Sequence, residues 1–340
     1  MAQNDIKVSV IVVAYNQEDT IARCLDSILS QRCSFNYEIV IGEDCSSDRT
    51  REICRDYASR YPDKIVLIEN KSNKGVLTNY YDCLDKCRGE YVADLGGDDY
   101  WIDNFKLQDQ AELLDSDPDT VLVHTDWKCF LEERRSFRSP WKDSYYPYSH
   151  IAEKGEITEK LLAHTKPLVV HLATSMYRRK TFLEMREADP HLFSNKDFQV
   201  EDFQLLVMMS AYGRVRFIDR VTLVYTVSDK SLTGNTDFKH TFDLYYGVME
   251  LNRYLEKKLG VEHSALMPTY KRYYHYLVMQ SFHSMDDVRM DKIVKAKESW
   301  EVSPSLKSKI ILMISKNKKV WAVVRKLWQP LSRRKKVNEG

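Results

Sequence analysis

The sequence predicts an α/β fold: a mostly parallel central sheet flanked by helices, with a helical C-terminal extension. Two observations indicate this fold. Short apolar runs rich in β-branched residues alternate with amphipathic segments through the first 100 residues, and this alternation is typical of parallel strands joined by right-handed crossovers. A polar loop follows each of the first four apolar runs, as expected where a ligand binds at the carboxyl ends of parallel strands.

The first predicted strand covers residues 6–14, a continuous apolar run that suits a strand buried on both faces. The segment 20–31 follows it with Ile21, Leu25 and Ile28 at helical spacing, so it is predicted to be a helix. The alternation is less regular in the second half of the chain. Further strands are predicted over 37–42, 65–69, 91–95, 171–177 and 215–225. Further helices are predicted over 48–59 and 77–87, from near 198–202 to about 211, and within 238–300.

Composition narrows the class of protein. The chain has 340 residues, enough for one large α/β domain with extensions or for two domains. Its seven cysteines are odd in number and lack paired Cys-X-X-Cys spacing, which argues against a disulfide framework and a structural zinc site. No apolar run approaches the roughly 20 residues of a membrane-spanning helix, and no secretory signal is recognised. We therefore expect a cytoplasmic protein, unless its basic tail directs it to a membrane.

Two adjacent carboxylates, Asp98 and Asp99, follow Gly96 and Gly97 directly after the fourth predicted strand. Neighbouring acids repel each other, so a positive group is expected to offset them. Mg²⁺ or Mn²⁺ suits this role because hard cations bind carboxylate oxygens and share their other positions with phosphates. The alternative is a pair of acids that caps a helix at a turn. The pair by itself does not decide between these two interpretations.

A second polar loop, residues 43–50, lies between a predicted strand and a predicted helix. Its acids could accept hydrogen bonds from a nucleobase, while Ser46 or Ser47 caps the helix and Asp48 is a cap or a first-turn acid. Neither a Gly-X-Gly-X-X-Gly motif nor a phosphate-binding P-loop motif is present. This absence argues against a dinucleotide oxidoreductase and against a P-loop enzyme.

Four segments resemble, in order and spacing, the motifs of the family 2 (GT-A type) inverting glycosyltransferases. The resemblance is strong over residues 6–127 and continues more weakly to about residue 235. Four ordered motifs are far more specific than any one of them. The segments are 8–18 (VSVIVVAYNQE), 38–50 (EIVIGEDCSSDRT), 73–75 (NKG) and 89–101 (GEYVADLGGDDYW).

The resemblance implies a nucleotide-sugar donor, expected to be a UDP-sugar, and a Mn²⁺ or Mg²⁺ ion that neutralises the leaving diphosphate. Asp98 would be the principal metal ligand, with Asp99 beside it. Asp44 would contact the edge of the base. The full set of residues expected to bind the donor is Ala14, Tyr15, Asn16, Glu18, Asp44, Asn73, Gly75, Gly97 and Asp98.

Members of this family also carry a base carboxylate later in the chain, often in a Glu-Asp pair that opens a helix. Glu201-Asp202 stands at that place, so Asp202 is expected to be the general base, with Glu201 as the second choice. Inversion is a single in-line displacement in which a base takes the proton of the acceptor hydroxyl. Without the resemblance, two acids in a first helical turn would be attributed to the helix dipole.

The sequence departs from the family pattern at Gly96. Many relatives have an acid there, so its contact is either absent or supplied by Asp94, which would point to the same face of the strand two residues earlier. His171 is ambiguous, because a histidine on a strand is more often structural than chemical. Lys230 lies in a segment where relatives often close a loop over the donor, so it could meet the diphosphate.

The C-terminal segment 303–340 is strongly basic: eleven Lys or Arg and one Glu give it a charge of +10, while residues 1–302 carry −9. Over 310–331, apolar residues including Trp321 recur at spacings of three and four, with basic residues on the other side. Such a helix suits an anchor that lies on an anionic membrane surface. The alternative is a helix packed on the body with a solvated basic face. No recognised nucleic-acid motif accompanies the charge.

These patterns divide the chain into regions and lead to one expected function. The resemblance implies an inverting glycosyltransferase of the hexosyltransferase type that moves one sugar to a glycan or lipid-linked acceptor in cell-surface polysaccharide synthesis. It would act at the inner face of the cell membrane. The alternatives are a membrane-associated scaffold with a decayed transferase site and a sugar nucleotidylyltransferase. The predicted regions are a GT-A domain over 1–235 (nucleotide-sugar half 6–127, acceptor half 128–235), a helical extension over 236–302 and a basic amphipathic tail over 303–340.

Overall fold

The computed structural model describes residues 5–138, 150–164, 170–227, 237–317 and 319–324. The chain divides into two compact units, residues 1–228 and 229–340. The first unit contains the sheet, and the second is helical where it is described. Lys230 and residues 325–340 of the basic tail lie outside the described residues.

The first unit contains a mixed sheet with helices packed against it. Its strands are β1 (Ile6–Ala14), β2 (Asn36–Glu43), β3 (Ile65–Glu69), β4 (Tyr91–Gly96), β5 (Tyr100–Trp101), β6 (Thr120–Leu131), β7 (Ser136–Arg138), β8 (Ile151–Ala152), β9 (Met176–Arg178) and β10 (Arg214–Val227). Its helices are α1 (Ile21–Leu29), α2 (Thr50–Arg60), α3 (Val76–Leu84), α4 (Lys106–Ser116), α5 (Thr158–Leu162), α6 (Arg179–Ala188), α7 (Pro190–Ser194) and α8 (Asp202–Tyr212).

The order of the main strands across the sheet is β3-β2-β1-β4-β9-β6-β10-β5. The longer strands β1 to β4, β6 and β10 all run in the same direction, which confirms the predicted mostly parallel sheet. The short strand β9 runs antiparallel between β4 and β6. It joins the half of the sheet that contains β1 to β4 to the half that contains β6 and β10.

One predicted boundary was wrong, because a turn precedes the regular element. The predicted strand 171–177 begins instead at Met176, after a 3₁₀ turn over Leu172–Thr174. The helix predicted to open near residues 198–202 begins at Asp202, after a 3₁₀ turn and Gln199, which has a φ of +68°. Helix α4 and strand β6 lie in a stretch for which the sequence patterns predicted no element.

The core of the first unit lies between the sheet and helices α1, α2 and α4. Val10 and Val12 of β1 pack with Leu25 and Ile28 of α1, and all four side chains are fully buried. Burying an aliphatic side chain of this size contributes about 1.5–3 kcal/mol. The apolar runs and the helical spacing predicted from the sequence therefore correspond to the residues that hold the sheet and α1 together.

A fully buried lysine, Lys106, lies at the start of α4. Its Nζ donates to Gln110 Oε1 at 2.7 Å and stands 4.4 Å from the centroid of the Trp101 ring. The Gln110 amide in turn donates to the main-chain oxygens of Val123 and Thr174, both at 2.9 Å. Burial lowers the pKa of Lys106 to about 7, and the nearby Asp94 carboxylate opposes that shift. This network connects α4 to β6 and to the turn before β9.

The second unit consists, where it is described, of helices packed around aromatic side chains. Trp300 is completely buried, and the rings of Tyr246, Tyr270 and Tyr274 lie around it. No helix in the described part of the chain combines the length and apolar character needed to cross a bilayer. The helices are α9 (Phe238–Leu259), α10 (His263–Ser284), α11 (Asp287–Ser299) and α12 (Leu306–Lys316), followed by a short helical segment over 319–324.

The prediction that Trp321 belongs to the outer apolar face of the tail was wrong. Trp321 is 5% exposed, its ring packs against Phe282, and its Nε1 donates to Asp287 Oδ1 at 2.6 Å. The predicted continuous helix is also interrupted, because α12 ends at Lys316. The outer face of α12 and the following segment is still apolar in part: its exposed side chains include Leu306, Ile310, Met313, Val320 and Val323.

Candidate functional site

Polar loops follow β1, β2, β3 and β4 at one edge of the sheet, and main-chain hydrogen bonds bring them together. Asp44 N–H donates to the oxygen of Ala14 at 3.0 Å, and Gly97 N–H donates to the oxygen of Val13 at 3.1 Å. Asn70 N–H donates to the oxygen of Glu43 at 2.9 Å. This confirms the prediction that the carboxyl ends of these strands gather at one site.

Asn16 and Glu18 connect the loop after β1 to the loop after β2. The Asn16 Oδ1 accepts from the main-chain N–H of Ser47 at 2.8 Å, and Asn16 itself has a φ of +52°. Glu18 Oε2 accepts from Arg49 N–H at 3.0 Å. The neighbouring Tyr15 is 47% exposed. The Asn16 and Glu18 side chains therefore support the loops, while the Tyr15 ring faces solvent.

The predicted helix cap in the second loop was wrong. Neither Ser46 nor Ser47 caps α2; Asp48 Oδ1 instead accepts from Thr50 N–H at 3.0 Å. The hydroxyl of Ser46 accepts from Asn16 N–H at 3.0 Å. The hydrogen bonds from Thr50 and from Glu18 N–H help to lower the pKa of Asp48 against the effect of burial. Ser46 and Ser47 instead form hydrogen bonds with Asn16 in the loop after β1, because the chain turns before the helix begins.

Asp44 organises the loop that precedes α3. Its carboxylate is 3% exposed and accepts from Lys74 N–H and Asn70 Nδ2 through Oδ1, and from Gly75 N–H through Oδ2, each at 2.9 Å. Asn73 Oδ1 also accepts from Gly75 N–H at 3.0 Å, and Gly75 has a φ of +81°, which favours glycine. A carboxylate has about four acceptor positions, so Asp44 keeps little capacity for a further partner.

Asp98 and Asp99 lie in the turn between β4 and β5. Asp99 is 3% exposed, and its Oδ1 accepts from the main-chain N–H of Thr226 at 2.7 Å. Arg23 donates to the main-chain oxygen of Asp98 at 3.3 Å. Burial raises the pKa of Asp98, and burial together with the Asp98 charge raises the pKa of Asp99 well above its usual range. No local sequence pattern indicated Thr226 or Arg23, which are distant from the acid pair along the chain.

The absence of a side chain at Gly96 leaves a space between the two acids. A Cβ atom built on Gly96 would lie 2.8 Å from Asp98 Oδ1 and 3.6 Å from Asp99 Oδ2. Two carboxylate oxygens therefore face the same small space, and this donor set suits a hard cation. Within the described ranges, no group of three or more His, Cys, Asp or Glu side chains has metal-binding geometry. The remaining ligands of a cation there would come from a bound phosphate and water.

Gly97 allows the loop after β4 to approach the start of α1. A Cβ atom built on Gly97 would collide with Gln17 Oε1 and lie 3.1 Å from Ile21 Cδ1. Gln17 is itself fixed, because its N–H donates to Thr50 Oγ1 at 2.6 Å. This close approach brings the acids of the β4 turn near the loop that follows β1.

Asp94 lies two residues before Gly96 on β4. It is 5% exposed, and neither carboxylate oxygen accepts a direct hydrogen bond from another described residue. Burial raises the pKa of Asp94 to about 7; Tyr80 and Lys106 lower it, and Asp202 raises it. The electrostatic neighbours of Asp94 thus include the predicted base, whereas the acids of the β4 turn are not among them.

Glu201 and Asp202 stand at the N-terminus of α8, as predicted. One residue, Gly213, separates α8 from β10, whose first residue Arg214 pairs with the first residue of β6. Strand β10 therefore starts at the amino edge of the sheet, and the N-terminus of α8 points toward the carboxyl edge. Burial and Asp202 raise the pKa of Glu201 to about 8, and burial raises the pKa of Asp202.

Tyr81 of α3 fixes the main chain at this helix start. Its hydroxyl donates to the oxygen of Glu201 at 3.2 Å and accepts from Gln204 Nε2 at 3.2 Å. Gln204 Nε2 also donates to the oxygen of Val200 at 2.7 Å. The Glu201 side chain makes no capping hydrogen bond. The structure therefore offers a half-buried acid pair, and the Glu201 side chain of that pair does not cap the helix.

The chain belongs to a known family. The model of "Glycosyl transferase family 2" matches residues 9–185. The sequence is 40% identical over 139 residues to an uncharacterised protein of Mycobacterium tuberculosis, covering 41% of this chain and 38% of that protein. It is 34% identical over 110 residues to the Escherichia coli UDP-Glc:alpha-D-GlcNAc-diphosphoundecaprenol beta-1,3-glucosyltransferase WfaP, covering 32% and 42%. The chain thus spans less than half the length of these relatives.

A solved structure shows the same fold. The chain resembles residues 1–349 of TarS from Staphylococcus aureus in complex with UDP, with a TM-score of 0.58 and 20% sequence identity. The match covers 96% of this chain and 92% of that one. This similarity supports the GT-A type α/β fold with its helical C-terminal region.

We expect Asp44→Asn to destabilise the protein, because an amide cannot accept the two main-chain N–H groups and the Asn70 amide that the carboxylate accepts. Losing hydrogen bonds to a charged group costs about 1.5–3 kcal/mol of unfolding free energy. Chemical denaturation monitored by circular dichroism measures it. Asp82→Asn is the matched control, since Asp82 makes only a partly exposed ion pair with Lys74, worth up to about 1 kcal/mol. Equal losses in the two variants would contradict the role of Asp44.

Proposed function

We propose that the first unit is an inverting glycosyltransferase that moves one sugar from a nucleotide-sugar, preferably a UDP-sugar, to a hydroxyl of a glycan or lipid-linked acceptor in cell-surface polysaccharide synthesis. The observation that carries this proposal is the placement of two acid pairs, Asp98-Asp99 and Glu201-Asp202, toward one edge of the sheet. One pair suits a cation beside a diphosphate, and the other suits a base beside an acceptor hydroxyl.

The donor site follows from the polar loops at the carboxyl edge. The UDP bound to TarS and the UDP-Glc in the name of WfaP support a uridine nucleotide. The exposed Tyr15 ring is available to a base or ribose, while Asn16, Glu18, Asp44 and Asn73 fix the loops around it. The proposed donor-binding residues are Ala14, Tyr15, Asn16, Glu18, Asp44, Asn73, Gly75, Gly97 and Asp98.

Asp98 and Asp99 would hold Mn²⁺ or Mg²⁺ over Gly96. When bound, the cation stabilises the negative charge that develops on the leaving diphosphate. Asp99 is buried and Asp98 is half-buried beside it, and the pKa values of both carboxyls are raised. A divalent cation would relieve that repulsion, so metal binding and donor binding are expected to support each other.

The base would be Asp202, with Glu201 as its partner. Burial and the Asp202 charge raise the pKa of Glu201, and burial raises the pKa of Asp202, so the two acids share one proton more readily than separate carboxyls do and the ionised member of the pair is available as a base. Asp202 then takes the proton of the acceptor hydroxyl. In the same step the oxygen of that hydroxyl bonds to the anomeric carbon of the donor sugar. The bond from that carbon to the phosphate oxygen breaks in the same step, which inverts the configuration.

Asp202→Asn is expected to lower kcat for sugar transfer by about 10²–10⁴-fold, the usual contribution of a general base. The dissociation constant of UDP should not change, because no hydrogen bond joins the Asp202 side chain to the described loops after β1, β2 and β3. Release of UDP from UDP-glucose or UDP-GlcNAc in the presence of candidate acceptors measures kcat, and calorimetry measures the dissociation constant of UDP.

The control is Asp197→Asn, which changes an exposed acid in the turn before α8. Normal turnover by Asp202→Asn would refute this base; absence of turnover in the unmodified protein would favour the scaffold alternative.

Gly96→Ala tests the cation site without removing a carboxylate. The added Cβ would crowd Asp98 Oδ1 at 2.8 Å, so the two acids could no longer converge on one ion. In the unmodified protein, UDP at 100 times its dissociation constant with Mn²⁺ should raise the free energy of unfolding by about 2.7 kcal/mol. Thermal denaturation with UDP, with and without Mn²⁺, should show that this metal-dependent part is lost in Gly96→Ala and in Asp98→Asn. A full metal-dependent shift in both variants would exclude the site.

We also propose that the tail over 303–340 holds the protein on the anionic inner face of the cell membrane. The support comes from α12, where Leu306, Ile310 and Met313 are 76%, 45% and 67% exposed and follow one another at spacings of four and three. Exposed lysines, Lys307 and Lys309 among them, flank this stripe. Apolar side chains next to lysines suit a helix that lies in the membrane interface. Each basic residue near an anionic surface contributes about 1 kcal/mol.

The triple variant Leu306→Ser, Ile310→Ser and Met313→Ser should reduce binding of the full chain to anionic vesicles by at least about tenfold, because it removes the apolar contacts and keeps every charge. Co-sedimentation with phosphatidylglycerol vesicles measures the bound fraction. The matched control is Val288→Ser, which changes an apolar side chain that is 78% exposed on α11. Equal binding of the triple variant and the unmodified chain would remove this proposal.

A further inference from the structure

His171 lies at the same edge of the sheet as the acid pairs. Strand β9 runs antiparallel to β4, with Met176 beside Ala93. The residues that precede Met176 therefore run alongside the end of β4, toward its polar turn. The 3₁₀ turn that follows His171 is anchored there, because Trp101 Nε1 donates to the oxygen of Ala173 at 3.2 Å.

The turn also fixes which ring nitrogen of His171 carries a proton. The main-chain N–H of Ala173 donates to His171 Nδ1 at 3.2 Å. Because Nδ1 accepts this bond, the proton of the neutral ring is on Nε2. Burial lowers the pKa of His171 to about 4, so the ring remains neutral at physiological pH. Nε2–H is thus a permanent donor, and no described residue accepts its hydrogen bond.

Two aromatic rings stand beside this donor. The centroid of Trp127 on β6 lies 5.4 Å from that of His171, and the centroid of Tyr225 on β10 lies 5.0 Å from it. Tyr225 directly precedes Thr226, whose N–H donates to Asp99 Oδ1 at 2.7 Å. The His171 ring therefore contacts Tyr225, and the residue after Tyr225 is hydrogen-bonded to the acid pair of the β4 turn.

The half-buried Tyr225 ring, backed by the buried Trp127, stands with one fixed polar donor, and this combination has the chemistry that a sugar requires. The C–H groups of a pyranose contact aromatic surface, while its hydroxyl oxygens accept hydrogen bonds from a few well-placed donors. The ring is neutral, so a hydroxyl suits it better than a phosphate, for which a charged Arg or Lys is the usual partner. His171 also cannot act as the base, because one nitrogen already accepts a bond and the other carries the proton.

We propose that His171 Nε2–H donates a hydrogen bond to a hydroxyl of the sugar at the transfer site, with Trp127 and Tyr225 beside it. His171 is thus a sugar-binding residue that also selects substrates by the position of that hydroxyl. This inference rests on the proposed transferase function. The hydroxyl can belong to the sugar of the donor or to the sugar of the acceptor, and both present the same chemistry to Nε2.

The test compares His171→Phe, which keeps a ring and loses the donor, with His171→Gln, which retains an N–H donor. Calorimetry with UDP, UDP-glucose and UDP-GlcNAc in the presence of Mn²⁺ tests whether the hydroxyl belongs to the sugar of the nucleotide-sugar. One hydrogen bond of typical net strength corresponds to about 2–10-fold in affinity. We expect His171→Phe to bind the UDP-sugars more weakly by that factor and UDP unchanged, with His171→Gln recovering most of the loss. His191→Phe, at an exposed position on α7, is the control.

If the hydroxyl belongs to the acceptor, the affinity for UDP-sugars remains unchanged in His171→Phe and the KM for the acceptor rises by the same factor. Unchanged values of both quantities would overturn the inference. So would an equal loss of UDP and UDP-sugar affinity, because UDP lacks the transferred sugar and such a loss reports disturbed folding of the loops. Failure of the proposed function is seen separately, since the unmodified protein would then bind no UDP-sugar.

Discussion

The hydrogen bond from Thr226 N–H to Asp99 Oδ1, at 2.7 Å, is the interaction on which the candidate site depends most. It joins the turn after β4 to the end of β10, and the Thr226 hydroxyl adds a second bond to the main-chain oxygen of Asp98 at 2.7 Å. A buried carboxylate without such a donor is costly. These two bonds therefore set the orientation of the acid pair and connect it to the half of the sheet that carries Trp127, His171 and Tyr225.

Electrostatic repulsion is the other constraint, and the fold manages it differently at each acid pair. At the β4 turn, Asp98 and Asp99 face the space left by Gly96, where a cation fits. At the start of α8, burial and the Asp202 charge raise the pKa of Glu201 to about 8. One bound proton can therefore reduce the negative charge of the Glu201-Asp202 pair. Asp94 has the buried Lys106 as an electrostatic neighbour instead. The first unit thus uses three different kinds of compensation for its buried acids.

Sequence patterns predicted the parts of the structure that depend on neighbours along the chain. The β-branched runs gave the parallel strands, and adjacent acids after a strand identified Asp98 and Asp99. The partners Thr226 and Arg23 were missed because tertiary packing brings them there from distant segments. Trp321 was placed wrongly for a related reason: helical periodicity shows that an apolar face exists, but not whether other helices cover it. The turn at His171 was missed because the His171 side chain itself stabilises the turn.

The hydrogen bonds of Asp44 have a consequence for affinity. Three donors from residues 70–75 converge on one carboxylate in the protein without any ligand, so the loop before α3 already has a defined conformation. A ligand that must first order a loop binds only to the fraction of molecules in the competent state, and its apparent dissociation constant rises in proportion. The three hydrogen bonds to Asp44 favour the competent conformation of this loop. Selection among nucleotides at this site would thus act through shape and contacts, with little entropic penalty from loop closure.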